Sequence, residues 1–106
     1  DGIILSLAEH NGAYATVFKN LFDWMSRIEG KTFMGKPMLL MGTSPGGRGA
    51  QSVLDIANGR FPYHDAKITA TFSLPFFGEN FKNGSISNKE LNDELIRKVS
   101  IFKQEL

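Results

Sequence analysis

Short apolar segments alternate with amphipathic segments along this chain, and this alternation limits its fold more than any other feature. The predicted strands cover residues 2–7, 37–42 and 66–74. They are short, apolar or rich in β-branched residues, and bounded by turn residues. The predicted helices cover residues 14–28, 50–58 and 89–104. Strand–helix order repeated in this way predicts an α/β fold with a parallel sheet and right-handed crossovers.

The first predicted helix has an apolar stripe wide enough to pack against more than one surface. Its members recur at spacings of three and four residues, and they are Val17, Phe18, Leu21, Phe22, Trp24, Met25 and Ile28. Gly30 is predicted to close this helix, because glycine is common at C-terminal caps. The last helix is predicted to be capped by Asn88.

Three strand–helix units fill only part of a larger sheet. A doubly wound domain with the strand order 2-1-3-4-5 needs on the order of 160 residues, whereas this chain has 106. Residues 1–106 are therefore predicted to be the C-terminal part of a single domain, apparently truncated to its last three units. Its first strand is expected to show an unpaired edge, which favours pairing with another copy or a partner segment. One expectation is that the chain alone is inactive.

Composition excludes several kinds of site and partner. The chain has no cysteine, which removes disulfides, thiolate nucleophiles and cysteine-based metal centres. Its two histidines, His10 and His64, are too isolated to suggest a metal site. The net charge is only +1, and charged residues of both signs are mixed along the sequence. Neither nucleic acid nor a membrane surface is therefore expected as a partner. With no apolar run long enough to cross a bilayer, a cytoplasmic protein is expected.

Two polar loops follow the first two predicted strands. In a parallel α/β sheet, ligands bind at the carboxyl ends of the strands, where such loops emerge. The first loop consists of Ala8, Glu9, His10, Asn11, Gly12 and Ala13. The second loop consists of Thr43, Ser44, Pro45, Gly46, Gly47, Arg48 and Gly49. These thirteen residues are the candidate cofactor-binding residues.

Each loop alone has a structural and a functional interpretation. In the first loop, Asn11 is either a helix cap or part of a backbone surface that faces a planar ligand. The glycines of the second loop either form a tight turn or expose amides that suit an anion or an electron-rich ring. The second loop matches neither the dinucleotide fingerprint GxGxxG nor the phosphate-binding P-loop.

Together, the two loops resemble one known family. AEHNGAYATVFKNLFDW at residues 8–24 is similar, without a gap, to the family stretch PEYNGSIPGVLKNALDW. GKP at 35–37 and SPGGRG at 44–49 resemble the family's second flavin loop. The chain is thereby identified as a member of the NAD(P)H-dependent FMN reductase family, which includes azo-dye, quinone and chromate reductases. The resemblance implies a flavodoxin-like doubly wound parallel sheet.

The resemblance also implies a cofactor, a reaction and an assembly. FMN would lie across both loops and take hydride from NADPH or NADH, then pass electrons to a small-molecule acceptor. The flavin phosphate would be bound by a loop upstream of this chain. Helix 14–28 resembles the family's dimer helix, so a dimer or tetramer is expected. No catalytic acid, base or metal ligand is assigned.

Three residues and one segment depart from the family pattern or leave alternatives open. Ala8 and His10 replace proline and tyrosine, and His10 is either at the flavin edge or an exposed loop residue. Arg48 is either a ligand contact, to the reduced flavin or to a nicotinamide phosphate, or a solvated loop residue. The aromatic segment 76–81 either covers the sheet end or shapes a substrate pocket.

The alternative function is a flavodoxin-type electron-transfer protein. Such carriers are usually acidic, so that they can dock on basic partners. This chain has a pI of about 8.2, which favours the reductase.

Overall fold

The computed structural model describes all 106 residues and confirms the predicted alternation of strands and helices. In chain order the elements are β1 (Ile3–Leu7), β2 (Glu9–His10), β3 (Ala13–Tyr14), α1 (Thr16–Ile28), β4 (Pro37–Thr43), α2 (Gln51–Arg60), a 3-10 helix (Phe61–His64), β5 (Lys67–Leu74), α3 (Phe77–Asn80), β6 (Phe81–Lys82), β7 (Ser85–Ile86) and α4 (Lys89–Gln104). The central sheet has the order β1-β4-β5 and is parallel throughout.

Strand β4 is the middle of this sheet. It pairs with β1 in a register that sets Ile3 opposite Met38, and with β5 on its other side. Met38, Leu39 and Leu40 are 1% exposed or less, as expected for a strand that is covered on both faces. Strand β1 has β4 as its one partner, so its outer edge is unpaired in this structure.

Alternate side chains of β4 contribute to two separate cores. On one face, Met38 and Leu40 join the larger cluster with α2 and the 3-10 helix. On the other face, Leu39 packs with Phe102 of α4. The predicted inward faces are confirmed for the residues Val53, Leu54 and Ala57 of α2 and for Leu91, Leu95, Val99 and Phe102 of α4.

Helix α1 departs from the prediction that its apolar stripe is buried. Only Phe22 is fully buried, in contact with Phe61 and Phe33. The remaining stripe is open to solvent, and its most exposed members are Val17 (77%), Leu21 (58%), Trp24 (66%) and Ile28 (86%). No other element of the chain covers that side of the helix.

Both ends of α1 also differ from the prediction. The helix begins at Thr16 rather than residue 14, because Ala13 and Tyr14 pair with the preceding strand β2. Its C-cap is Glu29, which has extended geometry and donates its N–H to the Met25 carbonyl. The prediction that Gly30 closes the helix is therefore wrong.

The aromatic connection after β5 is more regular than expected. It forms the short helix α3 and the β6–β7 hairpin, with the rings of Phe77 and Phe81 stacked at 5.0 Å. Among the helices, none combines the length and the apolar character that a membrane crossing requires.

The cap of α4 offers a direct test of the fold. The Asn88 side-chain oxygen accepts a hydrogen bond from the Leu91 N–H at 3.0 Å, as predicted. We expect Asn88→Ala to lower the free energy of unfolding by about 1 kcal/mol in urea denaturation, because the amide loses its acceptor. Asn92→Ala is the matched control, since Asn92 lies inside the same helix and does not cap it. An equal loss in both variants would contradict the capping role.

Candidate functional site

The first candidate loop is a β-hairpin that projects from the carboxyl end of β1. Glu9 pairs with Tyr14 and His10 with Ala13, and the turn between them is Asn11-Gly12. Asn11 and Gly12 have φ angles of 53° and 80°, the geometry of the type I′ turn that Asn-Gly favours. Asn11 therefore does not cap α1. The N-cap of that helix is Ala15, which makes no side-chain hydrogen bond.

The second loop leaves the carboxyl end of the neighbouring strand β4 and is tied to the end of β5. The Thr43 hydroxyl donates to the Leu74 carbonyl at 2.7 Å, and the Ser73 hydroxyl donates to the Gly49 carbonyl at 2.7 Å. Gly49 has a φ of 58°, a conformation that glycine adopts without strain. A Cβ at this position would overlap the Ser73 hydroxyl and lie 2.9 Å from the backbone nitrogen of Pro75.

Several carbonyl groups of the second loop accept hydrogen bonds, whereas a run of its amides donates none to the backbone. The Phe76 N–H donates to the Gly46 carbonyl at 2.9 Å, and the Phe77 N–H donates to the Ser44 carbonyl at 3.0 Å. No backbone bond is donated by the amides of residues 46–49. Of these residues, Gly46, Gly47 and Arg48 are exposed, and exposed donors of this kind suit an anion or the acceptor-rich edge of a planar ring.

A single hydrogen bond joins the first loop to helix α2, which follows the second loop. One carboxylate oxygen of Glu9 accepts the N–H of Val53, in the first turn of α2, at 2.8 Å. The bond is partly buried and connects residues that are 44 positions apart. Glu9 was predicted as a residue of the ligand loop, and its bond to Val53 could not be predicted, since no local sequence pattern relates the two residues.

The charged side chains of the loops are placed differently from one another. Arg48 lies along α2, where its Nη2 donates to the Ser52 hydroxyl at 2.9 Å, while the His10 side chain is exposed on the hairpin.

Tyr14, which ends the hairpin, is partly buried. Burial raises the pKa of Tyr14, and Arg60 opposes that rise. The Tyr14 hydroxyl has no hydrogen-bond partner, and its ring lies parallel to that of Phe61 with centroids 6.1 Å apart.

A small apolar cavity of about 190 Å³ lies beside the second loop, between the sheet and the aromatic connection. Its walls include Thr43 and Phe72 from the strands, and Phe77 and Phe81 from the connection. The connection thus covers the sheet end and also lines this cavity, while its role in a substrate pocket stays a prediction.

Thus the candidate residues form two clusters at adjacent strand ends, and the Glu9–Val53 bond holds the clusters together. Such an arrangement can orient and polarise a planar, acceptor-rich ligand, and it requires no side-chain acid or base.

Comparison with known proteins agrees with this geometry. The family model described as NADPH-dependent FMN reductase matches residues 1–77. A quinone reductase from Escherichia coli (strain K12) is 29% identical over 90 residues, which cover 84% of this chain and 44% of that protein. An NAD(P)H-dependent FMN reductase from Pseudomonas aeruginosa is 39% identical over 46 residues, which cover 43% of this chain and 25% of that protein.

A solved structure shows the fold. The flavoenzyme FerB, an NAD(P)H:(acceptor) oxidoreductase from Paracoccus denitrificans, superposes with a TM-score of 0.71 at 23% identity. The match covers 98% of this chain and 62% of the FerB chain. The flavodoxin-like α/β fold is thereby confirmed. The chain spans less than half the length of the curated relatives it matches.

Gly49 and Gly46 make a matched pair for testing the second loop. We expect Gly49→Ala to lower the free energy of unfolding by about 1–3 kcal/mol, because a Cβ is both strained and crowded there. Gly46→Ala should leave stability unchanged or slightly higher, since open space surrounds that position and its φ is not positive. Thermal and urea unfolding of the two variants measure the difference. Similar values for both would contradict the described loop conformation.

Proposed function

Because the chain belongs to the NADPH-dependent FMN reductase family, we propose that it forms the ring-binding part of an FMN-dependent oxidoreductase. The proposed reaction transfers hydride from NADPH or NADH through bound FMN to a small-molecule acceptor. One observation supports this most strongly. Two neighbouring loops lie at the carboxyl ends of β1 and β4, where a parallel α/β sheet binds its ligands, and the second loop exposes amides without a backbone acceptor.

The residues present fit an isoalloxazine ring. This ring has carbonyl oxygens and ring nitrogens along its edge, and the amides of residues 46–49 are donors without a backbone partner. We propose that residues 8–13 and 43–49 border the ring. FMN supplies the redox chemistry when bound, and the loop amides stabilise the negative charge that reduction places on the ring.

Two side chains have proposed roles of their own. Arg48 is held by Ser52 at the start of α2, which places a fixed positive charge next to the glycine loop. This charge favours the anionic reduced ring or a nicotinamide phosphate. The His10 side chain is exposed on the hairpin, and we propose that it lies along the flavin edge.

The acceptor is proposed to be a small molecule such as a quinone. Names printed for the relatives, quinone reductase and NAD(P)H:(acceptor) oxidoreductase, support this substrate class. A cytoplasmic location is proposed as well, since reduced nicotinamide nucleotides are supplied by metabolism inside the cell. Neither nucleic acid nor a membrane takes part in the proposed reaction.

The exposed stripe of α1 supports a homo-oligomer. Val17, Leu21, Trp24 and Ile28 form a continuous apolar surface, and soluble monomers rarely expose such a surface without a partner. We propose that a second copy covers the stripe in a dimer, or that further copies do so in a tetramer.

Flavin binding and turnover test the proposed function. We expect FMN fluorescence to be quenched as the chain is added, and riboflavin to compete, because the proposed contacts are to the ring. Under anaerobic conditions, NADPH or NADH should bleach the bound flavin at about 450 nm, and a quinone should restore its colour.

The outcomes of this experiment are distinct. Quenching without bleaching by either nucleotide would contradict the proposed hydride transfer and favour a simple electron carrier. The absence of quenching by either flavin would contradict ring binding by this chain. Because riboflavin has the ring of FMN but no phosphate, its competition shows that binding depends on contacts to the ring.

Substitution of Leu21 tests the proposed assembly. We expect Leu21→Asp to convert the oligomer into a monomer in size-exclusion chromatography with light scattering, because a charge in a buried apolar interface is unfavourable. The matched control is Ile96→Asp, at a similarly exposed apolar residue on α4. A monomeric unsubstituted chain, or dissociation by both variants, would contradict an interface centred on α1.

A further inference from the structure

We propose that Glu9 is a positioning residue that couples the two loops of the flavin site, an inference that rests on the function proposed above. Its carboxylate accepts the Val53 N–H at 2.8 Å across a gap of 44 positions in the chain. The role differs from that expected for a loop residue in contact with the cofactor, because Glu9 acts through α2.

Helix α2 depends on an acceptor from outside its own sequence. Its N-cap is Ala50, which has a φ of 65° and no side-chain acceptor. The neighbouring amides of Gln51 and Leu54 donate to the Arg48 and Ala50 carbonyls, whereas the Val53 amide donates to Glu9. A carboxylate is the favoured partner at a helix N-terminus, since it meets both the free N–H and the positive end of the helix dipole.

The position of this bond determines what it controls. Glu9 is the first residue of the hairpin strand β2, and Val53 follows the glycine loop by only four residues. One hydrogen bond therefore fixes the hairpin 8–13 relative to the donors of residues 46–49. Ligand contacts from both loops to one rigid ring need this relative placement to be held within a fraction of an ångström.

Removal of the carboxylate should leave the fold intact. The same hairpin is also held by Tyr14, whose ring packs parallel to that of Phe61 beyond the end of α2. The contact between the Tyr14 and Phe61 rings keeps the hairpin against the end of α2, and the Glu9 hydrogen bond sets its orientation. We therefore expect a change in site geometry rather than unfolding when Glu9 is replaced.

Three variants of the 106-residue chain isolate the coupling. Glu9→Ala removes the acceptor, whereas Glu9→Gln removes the charge but keeps an acceptor oxygen. Glu29→Ala is the matched control, because the Glu29 carboxylate also accepts a backbone N–H, from Lys31 at 3.0 Å, far from both loops in sequence. The measurements are Val53 amide hydrogen exchange by NMR, flavin fluorescence titration and the visible circular dichroism of the bound flavin.

We expect Glu9→Ala to weaken flavin binding on the order of tenfold and to speed Val53 exchange by a similar factor. The flavin dichroism should also change, because the ring sits differently between the loops. Glu9→Gln should recover most of the affinity and the native dichroism, and Glu29→Ala should match the unsubstituted chain in all three measurements.

Each result decides a separate question. Unchanged affinity and unchanged Val53 exchange in Glu9→Ala would overturn the coupling, and so would equal losses in Glu9→Ala and Glu9→Gln. If the unsubstituted chain binds no flavin, the proposed function fails, and Val53 exchange in the apo chain then decides on the coupling alone. Faster exchange in Glu9→Ala with recovery in Glu9→Gln supports it, and unchanged exchange overturns it.

Discussion

The burial of β4 on both faces is the constraint on which the rest of this structure depends. Its three residues Met38, Leu39 and Leu40 are almost completely removed from solvent, and their side chains alternate between the two cores. A strand in this position must be parallel to its neighbours, because each connection crosses over through a helix. The carboxyl ends of all three strands then lie at the same edge of the sheet. The two polar loops are neighbours for this reason, although β1 and β4 are separated in sequence by the hairpin and α1.

The features that sequence patterns predicted are those set by local apolar periodicity. Strands β1, β4 and β5 agree with the predicted segments to within one residue at each end, and Asn88 caps α4 as predicted. The hairpin at Asn11-Gly12 was missed, although Asn-Gly is a strong signal for a type I′ turn. The signal was overlooked because the paired strands are only two residues long, which is too short to show alternation.

What sequence patterns could not predict depends on contacts between distant parts of the chain. Periodicity identified the apolar side of α1 but not whether another surface covers it, and in this chain most of that side is exposed. The Glu9–Val53 bond joins two segments that no local rule relates. For the second loop, composition left a tight turn and a ligand site equally open. The structure shows a turn whose amides have no backbone acceptor, and the ligand site remains a prediction.

A segment outside the loops contacts the backbone of the proposed site. Phe76 and Phe77 donate their N–H groups to the Gly46 and Ser44 carbonyls and so occupy two of the loop's acceptors. Phe76 adopts a φ of 48°, a strained value for a bulky residue. Its ring would lie 3.0 Å from a Cβ at Gly47, so a side chain there would have to push the ring slightly aside. The aromatic connection thus helps to fix the conformation of the proposed ring-binding loop, although it lies outside that loop.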